Sequence, residues 1–229
     1  MMMRFSCNQP NAIKQGLSLK TMHRYLIKTP WWLKRLFPSY TWSMPADDKA
    51  IYLTFDDGPH PTITPWVLAE LKKYNAGATF FCLGENVALY PAVYQQIVAA
   101  GHRVGNHTQH HLNGWKTPVE DYIANVAKAS TLISSSLFRP PYGRIKRNQA
   151  KGIKKVLGAD TKIIMWDVLS ADFDTTISAE ACLQNVMKHT APGSILVFHD
   201  SEKAYPHLSY VLPLLLAQLS QQYSFKPIT

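Results

Sequence analysis

From Ala50 onward the chain alternates between short, continuous apolar runs and stretches in which apolar side chains recur every three or four positions. The short runs predict strands, and the longer period predicts helices packed by one side. Strands are expected over residues 51–55, 78–83, 103–106, 162–166 and 194–198, with a brief extended piece opening at Phe138. Helices are expected over 62–74 (Val67, Leu68 and Leu71 on one face), 90–100 closed by Gly101, 117–136, 149–157, 179–189 and 208–221, before a terminal extension at 225–228. Strands alternating with helices imply parallel βα units, hence an α/β fold. Six or seven such units fit a closed or nearly closed barrel of parallel strands better than an open sheet. The first strand is followed by no Gly-x-Gly-x-x-Gly, which argues against an open dinucleotide-binding sheet.

The unusual polar residues fall where strands end: Asp56 and Asp57, His107, Arg139, the stretch from Asp167 to Asp172, and His199 with Asp200. In a βα barrel those ends share one mouth, so scattered positions converge. Adjacent aspartates on an extended segment point apart and need different partners. Two carboxylates held close repel unless a cation neutralises them, although Asp57-Gly58-Pro59 is also good turn chemistry. His107 and His111, four apart, are expected on one side of a helical turn, where with a carboxylate they could share a zinc-like ion; His110 is expected at the surface. The prolines of Arg139-Pro140-Pro141-Tyr142-Gly143 hold the backbone near Tyr142, so that its N–H can face a developing oxyanion. Arg139 is expected to pair with a carboxylate. His199, at the end of an apolar strand, is a candidate general acid, a satisfied core histidine being the bland alternative.

These residues resemble the polysaccharide deacetylases of carbohydrate esterase family 4, the NodB-homology domain, from about residue 50 to the C-terminus, and the resemblance implies a distorted (β/α) barrel of about seven parallel strands. Thr54-Phe55-Asp56-Asp57-Gly58-Pro59 is similar to the first motif, His107-Thr108-Gln109-His110-His111 to the second and Arg139–Gly143 to the third. The resemblance implies Asp57, His107 and His111 as ligands of a divalent metal, Zn²⁺ first, with Co²⁺, Mn²⁺ or Ni²⁺ as substitutes. It implies Asp56 as base, Arg139 holding that base, the Tyr142 N–H as oxyanion donor, and His199 as acid oriented by Asp172. Two motifs depart from the pattern: Phe173 follows Asp172 where Trp is usual and Leu169 stands where Asp is common, while Val197 precedes Phe198-His199 where Leu is usual. Phe173 and Val197 are expected to line an acetyl pocket of altered shape. The implied reaction is hydrolysis of an N-acetyl group on an amino sugar or polysaccharide of chitooligosaccharide or peptidoglycan type. The alternatives are a non-sugar amide or O-acetyl ester, and a catalytically idle glycan-binding module.

Composition changes this picture at one end only. The net charge of +9 is concentrated in residues 1–49, which hold eight Lys/Arg against two Asp. Residues 1–48 therefore read as a basic, aromatic extension to a catalytic domain over 49–229. Residues 1–21 lack periodicity and are expected to be disordered or upstream of a natural start at Met22. The stretch 25–37 mixes aromatics with cations and fits either a clamp across the domain or weak contact with a membrane surface. A second basic run, from Arg144 to Lys155, reads as a solvated helix face. Nucleic acid is not the expected partner; the expected partner is an N-acetylated carbohydrate, with Trp115 a candidate for stacking on a sugar ring. Cys82 and Cys182 read as core residues, with Cys7 far from both. No stretch is long and apolar enough to span a membrane and no secretory pattern is visible, so a cytoplasmic location is favoured, with cell-envelope association left open.

Overall fold

The computed structural model describes residues 25–46 and 48–229; the expectations for residues 1–21, Met22 and Cys7 lie outside the described residues. Among the described residues seven strands line up in one sheet: β1 (Ala50–Asp56), β2 (Ala78–Cys82), β3 (Arg103–Asn106), β4 (Leu137–Phe138), β5 (Lys162–Ile163), β6 (Val168–Leu169) and β7 (Ile195–His199). Their order is β5-β4-β3-β2-β1-β7-β6. Every neighbouring pair is parallel, and the short β8 (Ser224–Phe225) joins the start of β1. Among the described residues eight α-helices accompany them: α1 (Trp31–Leu36), α2 (Ile63–Lys73), α3 (Gly84–Leu89), α4 (Pro91–Ala99), α5 (Val119–Ser130), α6 (Arg147–Leu157), α7 (Ala179–His189) and α8 (Tyr205–Leu219). The architecture is the expected distorted (β/α) barrel.

Strand β1 lies inside the sheet between β2 and β7 and is buried along its whole length, which a parallel strand covered on both faces requires. Its side chains alternate. Ile51, Leu53 and Phe55 join the large cluster under the helices with Leu71 of α2 and Leu208, Val211 and Leu215 of α8. Ala50 and Tyr52 point the other way and pack with Phe81, Leu137, Ile164 and Ile195. By the same period of two, Thr54 and Asp56 continue on that second face toward the carboxyl end. The inner face is thus apolar at its base and polar at its mouth. Cys82 and Cys182 are both fully buried in the first cluster.

Strands β5 and β6 are the two edges of the sheet, and the chain before β1 runs between them. Leu169 N donates to Ile27 O at 2.8 Å and Thr29 N to Asp167 O at 2.9 Å on the β6 side. Thr41 N donates to Ile163 O at 2.9 Å and Met165 N to Thr41 O at 2.7 Å on the β5 side. Lys28 Nζ and Lys34 Nζ each lie 2.5 Å from a different oxygen of Asp167, a carboxylate only 5% exposed. Edge strands left with open backbone groups are thereby covered.

Several elements differ from the pattern-based expectation. Helix α5 ends at Ser130 and does not reach 136. Ser135 explains part of this, since its hydroxyl donates to Val104 O at 2.7 Å and accepts from Leu137 N at 3.0 Å, an alternative to helical hydrogen bonding. Helix α8 begins three residues early, with Pro206 in its first turn, where a missing N–H costs nothing. The expected strand over 162–166 pairs within the sheet only at Lys162 and Ile163. Strand β6 and helix α3, two and six residues long, had no periodic signal to show.

Candidate active site

Asp56 and His199 are register partners at the carboxyl ends of β1 and β7, so their side chains share the inner face. Each has a buried partner of opposite charge behind it. The fully buried Arg139 donates from Nη1 to Asp56 Oδ1 at 2.7 Å and to Thr54 Oγ1 at 2.7 Å, and from Nη2 to Met165 O at 3.0 Å. Its guanidinium also lies 4.1 Å from the centre of the Phe81 ring. An arginine so satisfied can be buried; removing one member of such a pair costs about 3–5 kcal/mol. Burial raises the Asp56 pKa, but the charge of Arg139, joined by that of His199, outweighs it and holds the carboxyl below its usual value.

The fully buried Asp172 sits behind His199. Its Oδ1 is 2.7 Å from His199 Nδ1 and its Oδ2 accepts the His199 backbone N–H at 2.8 Å. Burial alone would depress the imidazole, but the Asp172 carboxylate prevails and raises it to about 10. With Nδ1 on Asp172, the Nε2 atom is left for the cavity. Phe173 packs edge-on against His199, with centroids 5.3 Å apart.

Asp57, His107 and His111 come together beside this pair, their ligand atoms all within 4.8 Å of one another. Asp57 Oδ1 lies 3.3 Å from His111 Nε2 and 3.7 Å from His107 Nε2. Two donors at about 2.1 Å from a tetrahedral ion stand roughly 3.4 Å apart, so the spacing fits a zinc-sized cation. His107 Nδ1 donates to Arg139 O at 2.8 Å, which leaves its Nε2 as the acceptor. Burial draws the His107 pKa down to about 4, keeping the ring neutral. Asp57 Oδ1 is buried and accepts no hydrogen bond from the described residues. An orphaned carboxylate oxygen facing two imidazoles is costly, and a divalent cation removes that cost.

The histidine loop is not the expected helical turn. Thr108 has φ of 71° and His111 of 53°, and the loop is held from outside: Asn125 Oδ1 on α5 accepts from Gln109 N and His110 N, and Asn106 Oδ1 accepts from Thr108 N. His110 is exposed and pairs with Glu85 at 2.9 Å. Among the described residues seven non-glycines have positive φ, and five of them (Asp57, Thr108, His111, Tyr142 and Ala171) belong to these loops. Such conformations cost about 1–3 kcal/mol each and persist only where the surroundings impose them.

These groups open into a cavity of about 550 Å³. Asp56, Asp57, His107, His111, Tyr142, Phe173, Val197 and His199 all line it, while Arg139 and Asp172 stand behind it. Trp115 is not in its wall: it is exposed, stacked under Arg144, whose guanidinium lies 5.2 Å from its ring and which does reach the cavity. Three further residues shape the site although their positions in the sequence assign them no role in it: Tyr25, Lys203 and Asp200. Tyr25 comes from the extension, lines the cavity, packs edge-on against Phe173 at 5.4 Å and donates its hydroxyl to Asp174. Asp200 accepts from Gly58 N at 3.0 Å and from Thr64 Oγ1 at 2.5 Å, fixing the turn after the aspartates. A Cβ on Gly58 would lie 2.1 Å from Asp200 Oδ2, so glycine is needed there; the adjacent His199-Asp200 pair was the available signal.

A polysaccharide deacetylase family model matches residues 43–160, a stretch that holds Asp56, Asp57, His107, His111 and Arg139 and stops before Asp172 and His199. A peptidoglycan-N-acetylglucosamine deacetylase of Bacillus cereus is 34% identical over 169 residues, 71% of this chain and 60% of that relative's length. A chitooligosaccharide deacetylase of Azorhizobium caulinodans is 30% identical over 161 residues, 67% of this chain and 75% of the relative. The crystal structure of the Bc1960 peptidoglycan N-acetylglucosamine deacetylase superposes with a TM-score of 0.74 at 31% identity, covering 86% of this chain and 93% of the other. This chain belongs to the polysaccharide deacetylase family.

Proposed function

We propose that this chain hydrolyses the acetamide of an N-acetylated amino sugar in a polysaccharide or oligosaccharide, releasing acetate and the free amine. The observation that carries this reading is the register pairing of Asp56 with His199, each backed by a buried opposite charge, beside the Asp57–His107–His111 cluster. Acyl transfer to water needs a proton acceptor for the nucleophile and a proton donor for the leaving nitrogen. Asp56, kept ionised by Arg139, accepts the proton of the attacking water. His199, kept protonated by Asp172, donates from Nε2 to the departing amine. The Tyr142 backbone N–H, on a turn held at φ 60°, stabilises the oxyanion. A divalent cation held by Asp57, His107 and His111, Zn²⁺ best matching two imidazoles and one carboxylate, would act as a Lewis acid on the carbonyl and lower the pKa of water to about 7. Phe173, Val197, Trp166 and Leu169 give the cavity an apolar wall for the acetyl methyl group. The named activities of the relatives support the sugar as the acyl carrier.

Asp56→Asn and His199→Ala should each lower turnover by about 10²–10⁴-fold while leaving the bound metal unchanged. Asp57→Ala should lose the metal itself. Acetate assays paired with metal analysis by mass spectrometry distinguish these outcomes; acetate release at the wild-type rate by Asp56→Asn would overturn the assignment.

A further inference from the structure

A second surface, away from the catalytic cavity, is built from α1 and α6. Helix α1 buries no residue. Trp31, Trp32 and Leu36 are 73%, 53% and 59% exposed, and Leu26 shortly before them is 55% exposed. Trp32 and Leu36 are four positions apart, so they lie on one side of the helix. Leu36 also borders a groove of about 350 Å³ whose floor includes Phe37 and Tyr40, stacked with planes 2° apart. The opposite wall of that groove carries Arg147, Lys151 and Lys154, which follow one another at helical spacing along α6. All three are exposed.

The charge on this surface is one-sided. Residues 25–46 and 140–159, which build it, contain no Asp or Glu. Lys28 and Lys34 share the single carboxylate of Asp167, which offsets one of their two charges. Arg35, Arg147, Lys151 and Lys154 form no ion pair among the described residues. An apolar row of tryptophan and leucine therefore runs beside a row of uncompensated cations. A soluble polyanion would satisfy the cations but gain nothing from exposed Leu26 and Leu36. An anionic lipid surface satisfies both, since tryptophan favours the headgroup region and leucine the acyl boundary.

We propose that this face docks the protein onto an anionic lipid surface, with Trp31, Trp32 and Leu36 entering the interface and Arg35, Arg147, Lys151 and Lys154 meeting the headgroups. The inference is independent of the deacetylase reading. Each cation near such a surface strengthens binding roughly fivefold.

The test uses the full chain with vesicles of phosphatidylglycerol and phosphatidylcholine in equal parts, against phosphatidylcholine alone, read by co-sedimentation over a salt series. Binding to the anionic vesicles should be at least about tenfold stronger and fall with salt. Trp32→Ser with Leu36→Ser, and separately Lys151→Glu with Lys154→Glu, should each weaken it about tenfold or more, with unfolding temperature unchanged because all four side chains are exposed. Equal binding to both vesicles, or wild-type binding by either double variant, overturns the proposal; the second result would move the membrane contact to another part of the chain. Binding to soluble dextran sulfate as tight as to the anionic vesicles, and unaffected by Trp32→Ser with Leu36→Ser, would make this a polyanion site and overturn it as well.

Discussion

Asp56 and Asp57 are neighbours in sequence with opposite surroundings. Asp56 keeps the alternation of β1 and faces inward onto Arg139, whereas Asp57 turns out of the strand at φ 80° toward two histidines. The motif's residues were legible; the backbone reversal that divides their roles was not, because nothing in Asp-Asp-Gly-Pro says which aspartate leaves the strand. His199 gives the clearest dependence on pH. Its imidazole titrates near 10 in the folded chain and near 6.5 without its surroundings. A pKa raised by folding contributes stability fully below about 6.5, and that contribution is lost as pH climbs toward 10. The stability gap between wild type and Asp172→Asn should therefore be widest at acidic to neutral pH and narrow as pH rises, which thermal unfolding across a pH series would show. The alkaline limb of turnover should also move down by more than two pH units in Asp172→Asn. A limb that stays in place would break the link between Asp172 and the acid.

At the scale of elements, the longer strands β1, β2 and β7 were readable from their apolar runs because parallel strands buried on both faces need such runs. The histidine loop was misread. A spacing of four suggests a helical turn, yet left-handed Thr108 and His111 bring the two rings together by another path. Glycine is the usual marker of positive φ, and the loop contains none, so the sequence offered no warning. Strain there is maintained by Asn106 and by Asn125 of α5. The turn after β1 depends on close approach instead. Gly58→Ala should force Asp200 and the aspartate turn apart, destabilising the chain by about 1–3 kcal/mol and reducing turnover by more than that loss explains. Unchanged turnover in Gly58→Ala would show that the turn's placement is not needed.

Across the whole molecule, βα alternation announced the barrel and the aromatic, cationic stretch 25–37 suggested a clamp across it, but the pairings by which that stretch closes the barrel were hidden. Residues 27–43 join β5 to β6 through single backbone pairings separated by more than a hundred positions, and no apolar run marks them. The extension is thus both a wall between two strand edges and, through Tyr25, part of the cavity that Asp56 and His199 line. Removing residues 1–44 would strip Asp167 of Lys28 and Lys34, and a buried carboxylate deprived of its cations destabilises the fold by several kcal/mol. Urea unfolding of that truncation should show a markedly lower midpoint; an unchanged, cooperative transition would mean that the barrel closes without it.

The most direct test is acetate release by the full chain from N-acetylated chitooligosaccharides and peptidoglycan glycan strands, measured with Zn²⁺, after chelation, and after Zn²⁺ is restored. Acetate and free amine should appear in equal amounts, stop on chelation and return with the metal. No acetate from either substrate with metal bound, or release indifferent to the chelator, would contradict the account.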